Sequence, residues 1–126
     1  MVSIKEAEDI KEDNMKALKV YLSLPYEGRQ GEELEEYIQG EITKLKNIFY
    51  GYEIVVEVRT KERSSKKAIH NCDICGLGSG WTYIPDCEAD RKYAVSEGKP
   101  IVITDTEYTR SFIRDYIVGK ALKNRF

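Results

Sequence analysis

Four short apolar runs, each followed by a stretch of helical spacing, constrain this chain more than any other feature. Lys16 to Leu24 carries Leu18, Val20, Leu22 and Leu24 at alternate positions, the mark of a strand with one buried face. Pro25 to Gly31 breaks it with a proline and two glycines. Glu32 to Phe49 then places Leu34, Ile38, Ile42, Leu45 and Phe49 on a helical stripe. Acidic residues crowd its first turns and Lys44 and Lys46 lie near its end, as the helix dipole favours. Tyr52 to Val58 is β-branched and reads as a second strand.

The pattern repeats in the second half. Thr60 to Asn71 reads as a short helix anchored by Ala68 and Ile69, and Cys72 to Leu77 as a brief third strand. Pro85 to Glu97 is a helix entered by proline and ended by Gly98, with Ala89, Tyr93 and Ala94 on one side. Ile101 to Thr104 is a fourth strand. Thr106 to Lys123 sets Phe112, Ile113, Tyr116, Ile117 and Leu122 on a last helical stripe. Strands alternating with helices pair in parallel through crossovers. The expected fold is α/β: a small flavodoxin-like or Rossmann-like three-layer sandwich with a mainly parallel sheet of about four to five strands.

The chain has 126 residues, enough for one core. Residues 1–17 are acidic with sparse apolar positions and read as an N-terminal helix or tail, leaving 18–126 as the domain. The net charge of -2 argues against a duplex nucleic-acid binder, which needs a basic face. The Lys61 to Lys67 patch is too short to reverse that. No apolar run approaches the ~20 residues of a membrane span, and the acidic start is no secretory signal. Cys72, Cys75 and Cys87 are odd in number, so a disulfide framework is not expected and a reducing cytoplasm is the default location.

The candidate site follows from the order of elements. Ligands of open α/β sheets bind beyond the carboxyl ends of the strands. The Gly76-Leu77-Gly78-Ser79-Gly80-Trp81 loop is such a rim, and Ser23 and Pro25 close the first strand beside it. Ser23, Gly28 and Arg29 suit a sugar or phosphate near a helix N-terminus. The glutamates that follow repel an anion, so a plain turn with a surface arginine competes with that reading. Trp81 is placed either to stack on a base or to plug the core edge. Asp73 is either a substrate contact or a turn cap. Asp90 is either a solvated helix charge or a carboxylate turned into the cleft. His70, Cys72, Cys75 and Cys87 are ligand types for zinc. As strand residues, however, Cys72 and Cys75 point to opposite faces, which favours buried hydrophobes and a surface histidine.

The segment KVYLSLPYEG, then Asn71-Cys72-Asp73-Ile74, Gly80-Trp81, Ala94, Gly98, Lys99, Pro100 and Ile101, resembles the nucleoside 2-deoxyribosyltransferase-like superfamily, in particular its small phage and bacterial branch. The resemblance spans Leu18 to Thr104 and rests on the order of several short motifs. It implies that Asp90, four residues before Ala94, takes the place of the family's catalytic glutamate. That carboxylate acts at the anomeric carbon of a nucleoside or nucleotide. It further implies that Ser23, Gly28 and Arg29 hold sugar or phosphate, that Trp81 borders the base, that no cofactor is needed, and that the protein is a homo-oligomer. Phe112, Tyr116 and Ile117 are then a candidate interface. Beyond Asp90 itself, one methylene shorter than glutamate, three positions depart from the family pattern. Ser65 stands where an aspartate is frequent, and Ile84 and Asp86 replace a loop serine and glycine. Two functions from different classes remain beside N-glycosidic hydrolysis or deoxyribosyl transfer: a nucleotide-binding module without turnover, and a small zinc-stabilised interaction domain.

Overall fold

The computed structural model describes residues 17–25, 29–59, 66–105 and 111–125, with side chains given except at 83 and 111–113. The acidic N-terminal residues 1–16, Gly28 and Ser65 lie outside the described residues, as does the side chain of Phe112.

The elements run β1 (Ala17–Ser23), α1 (Gly31–Ile48), β2 (Glu53–Val58), α2 (Lys66–Asn71), β3 (Ile74–Leu77), a single 3-10 turn (Trp81–Tyr83), α3 (Pro85–Ser96), β4 (Ile101–Ile103) and α4 (Ser111–Lys123). Among the described residues four strands form one sheet in the order β2-β1-β3-β4, each pairing parallel. The fold is the expected small α/β sandwich of Rossmann-like type.

The alternation along β1 builds the two faces. Leu18, Val20, Leu22 and Leu24 point to one side with Ile74 and Val102. There they pack under Leu45, Ile48 and Phe49 at the end of α1 and Ile117, Val118 and Ala121 of α4. Tyr21 and Cys75 are register partners on the other side, under Ala68, Ile69 and Cys72 from the α2 segment and Ala94 of α3. So α1 and α4 cover one face and α2 and α3 the other. The strand order switches sides between β1 and β3, the position where sheets of this order form a crevice.

Three local readings are corrected. Cys72 is not in a strand: its amide closes the end of α2 on the Ile69 carbonyl at 3.2 Å, and β3 begins only at Ile74. Strand alternation therefore does not apply between Cys72 and Cys75, and both enter the same cluster. On α3 the buried line is Cys87, Asp90 and Ala94, while Ala89 is exposed. On α4, Ile117 is buried but Tyr116 is 71% exposed, so the two do not share a packed stripe.

Candidate functional site

The carboxyl ends of β1, β2 and β3 meet in a small knot of polar groups. Ser23 is the last residue of β1 and is fully buried on the α3 side of the sheet. Its hydroxyl donates to Asp90 Oδ2 at 2.6 Å. Asp90 projects inward from the second turn of α3 and is 2% exposed, so it is no solvated surface charge. Pro85 opens that helix, and Cys87, one turn before Asp90, shares its buried line.

Arg59 completes the knot. It follows β2, and its amide extends the ladder to the Leu22 carbonyl at 2.9 Å, which sets its side chain beside Ser23. The guanidinium is buried. Its Nη2 donates to the Leu24 carbonyl at 2.6 Å, its Nε lies 3.7 Å from Asp90 Oδ2, and its Nη1 lies 3.7 Å from the exposed Asp86. A buried carboxylate is tolerable only with donors and a counter-charge, and Ser23 and Arg59 supply both. Burial also pushes the Cys87 thiol up, against smaller opposing effects of Ser23 and Arg59.

The β3 loop abuts this knot. The Gly78 amide donates to the Ser23 carbonyl at 3.0 Å. A Cβ at Gly78 would stand 2.3 Å from Leu24 Cδ2, so any larger residue there requires the buried Leu24 side chain to shift. Gly80 has φ +86 and lies against Pro25. The half-buried Trp81 that follows has the Arg91 guanidinium 5.8 Å from its ring centroid, which sets the indole by the residue next to Asp90.

Ser23, Pro25, Gly80, Trp81 and Asp90 are thus gathered at one end of the sheet. Arg29 stands further along α1's approach, donating to the Pro25 carbonyl at 3.1 Å with its guanidinium 3.9 Å over the Tyr37 ring. Asp73 is not brought there. It lies at the amino end of the sheet, accepting from the Lys19 amide at 2.8 Å and from Arg125 Nε at 2.8 Å. Burial works to raise its pKa, but Arg125 and the Lys19 amide outweigh it and hold the carboxyl below its ordinary value. This aspartate ties the chain's last turn to β1 rather than facing the crevice.

The zinc set does not assemble. His70 is exposed, with Nδ1 3.3 Å from Glu97 Oε2, whereas the three thiols are buried. Among the described residues no three His, Cys, Asp or Glu side chains are grouped to hold a metal. Burial pushes the Cys72 thiol up to about 11 and the Cys75 thiol higher still.

Two site features escape sequence reading. Arg59 was hidden by its place just past a strand, although continuing the Val55, Glu57 alternation puts it on the side of Tyr21 and Ser23. Glu41 is 1% exposed on α1, three residues after Ile38 and four before Leu45, a spacing that places it on the apolar line. A cavity of about 400 Å³ lies elsewhere, lined by Lys19, Tyr21, Val55, Glu57, Lys67 and Asn71 among others. It opens on the same sheet face as Asp90, beside α2, and Asp90 is not among the residues lining it.

No helix among the described residues is long and apolar enough to cross a membrane. No protein-family model, curated protein or solved structure matches this chain.

Proposed function

We propose that the chain is a nucleoside 2-deoxyribosyltransferase-like protein whose Asp90 carboxylate acts at the anomeric carbon of a nucleoside or nucleotide. The observation that carries this reading is the Ser23–Asp90 contact of 2.6 Å at the carboxyl end of β1, beside the crevice between β1 and β3. Ser23 and Arg59 orient one carboxylate oxygen, as an attacking group requires. In the reaction an Asp90 oxygen bonds to the anomeric carbon as the N-glycosidic bond breaks. The base leaves with the bonding pair and takes a proton from water. Attack by water on the glycosyl ester then gives the hydrolase product, and attack by a second base gives the transfer product. Pro25, Gly80 and Trp81 border the ligand. No cofactor enters these steps.

The second reading is a nucleotide-binding module on the same scaffold. It is favoured by the 2% exposure of Asp90 and by the guanidinium 3.7 Å from it, since an enclosed, charge-balanced carboxylate is a poorer nucleophile. The family's frequent acid is also replaced by Ser65. Incubation with each deoxynucleoside monophosphate, followed by chromatography for free base, separates the two. Base release by the native protein that disappears in Asp90→Ala supports the enzyme. Saturable binding without release supports the module.

A further inference from the structure

Ser79 is held on three sides. Its amide donates to Glu41 Oε1 at 2.6 Å, its carbonyl accepts from the Tyr37 hydroxyl at 2.8 Å, and its hydroxyl donates to Asp105 Oδ1 at 2.5 Å. Lys44 Nζ donates to the same hydroxyl at 3.1 Å and lies 2.9 Å from Glu41 Oε2. Thr104, just past β4, donates to Glu41 Oε1 at 3.1 Å. Tyr37, Glu41 and Lys44 recur at the spacing of one helical stripe, so a single face of α1 grips the loop that leaves β3.

A carboxylate is a costly choice at this position. The periodicity of α1 calls for an apolar residue, and a leucine would bury well against Leu45 and Ile38. What the carboxylate supplies, and leucine does not, is an acceptor for the Ser79 amide. The Lys44 and Asp105 charges and the Tyr37 phenol face this group from α1 and the end of β4. Burial works to raise the Glu41 pKa, but the Ser79 amide and Lys44 prevail and hold it below its ordinary value, so it is ionised at neutral pH.

We infer that Glu41 is a positioning residue: through Ser79 it fixes the Gly78–Trp81 loop, and with it the Gly80 and Trp81 rim of the crevice. This inference rests on reading that crevice as the ligand site. Glu41 itself touches no ligand; Ser79 transmits its effect. Thr104 joins the grip, so the ends of β3 and β4 and the middle of α1 are fixed as one unit at the rim.

Amide hydrogen exchange of the full chain tests this. Loss of a hydrogen bond to a charged acceptor is expected to speed Ser79 exchange on the order of tenfold in Glu41→Leu. The change is confined to Gly78–Trp81, with the amides of α1 and β1 keeping their protection. Glu41→Gln, which retains an acceptor oxygen, restores part of the protection. Tyr37→Phe loosens the same loop and preserves the shape of the core, so it and Glu41→Gln decide the matter should Glu41→Leu not fold. Unchanged Ser79 exchange in these variants would overturn the inference, as would protection lost evenly across α1 and β3. With a deoxynucleoside monophosphate as the probe, Glu41→Leu should also weaken binding severalfold. Faster loop exchange with unaltered affinity would likewise overturn the positioning role. A native protein that binds none of these probes would count against the functional reading alone, and exchange would still decide whether Glu41 sets the loop.

Discussion

The Ser23 hydroxyl and the Asp90 carboxylate, 67 residues apart in sequence, meet at 2.6 Å in the protein interior. The contact joins the end of the first strand to the helix after the third, across the point where the strand order switches. Ser23→Ala removes the donor and leaves the carboxylate buried. A loss of about 1–3 kcal/mol is expected, read as a lower midpoint of chemical denaturation with an unchanged slope. An unaltered midpoint would mean that the hydroxyl contributes nothing to holding Asp90.

Arg59 is the counter-charge in the same knot. Arg59→Met strands a buried carboxylate, and a cost of roughly 3–5 kcal/mol is expected. Asp86, its exposed partner, is different: Asp86→Asn should change stability by less than about 1 kcal/mol. The double replacement Arg59→Met with Asp90→Leu should recover much of the single loss, because no charge is left unpaired. Strictly additive losses would contradict the assigned pairing.

Gly78 is fixed by space rather than by backbone twist. A Cβ there meets Leu24 Cδ2 at 2.3 Å, whereas at Gly76 the nearest atom, Leu22 Cδ1, is at 3.3 Å. Gly78→Ala should therefore cost about 1–3 kcal/mol and Gly76→Ala less. Thermal unfolding of the two variants side by side gives the comparison, and the reverse order would contradict the close approach of β1 to the β3 loop.

Acid should destabilise the protein through the buried carboxylates of Asp73 and Glu41. Asp73 and Glu41 have folded-state pKa values below their ordinary 3.8 and 4.5. The unfolded chain thus binds protons first. Their contribution is complete above about pH 4.5 and is lost as pH falls through the lowered values. Asp73→Asn should flatten the decline of stability below pH 4.5 while leaving the neutral-pH protein less stable, since Arg125 loses its partner. A pH dependence identical to the native protein would contradict the Asp73–Arg125 pairing.

The layering was legible because apolar spacing is a strong signal where one face is buried. Leu18, Val20, Leu22 and Leu24 all reach one core as their alternation requires, and the described helices lie where the stripes put them. Order within the sheet and the meeting of Ser23 with Asp90 depend on contacts between distant segments, which spacing does not encode. Ala89 and Tyr116 misled because a helix stripe is wide, and one residue of phase moves a side chain by about 100°. Cys72 misled because a helix end and a strand start share the same apolar composition. Arg59 and Glu41 were missed for a common reason: buried charge looks like surface charge until its partners are known.

In the proposed reading a nucleotide is received at the carboxyl end of β1, beside Asp90. Backbone amide shifts during titration with a deoxynucleoside monophosphate locate the ligand directly. The largest changes should fall at Ser23, Ser79, Trp81 and Asp90. Changes concentrated instead at Lys19, Lys67 and Asn71, around the cavity beside α2, would contradict that placement.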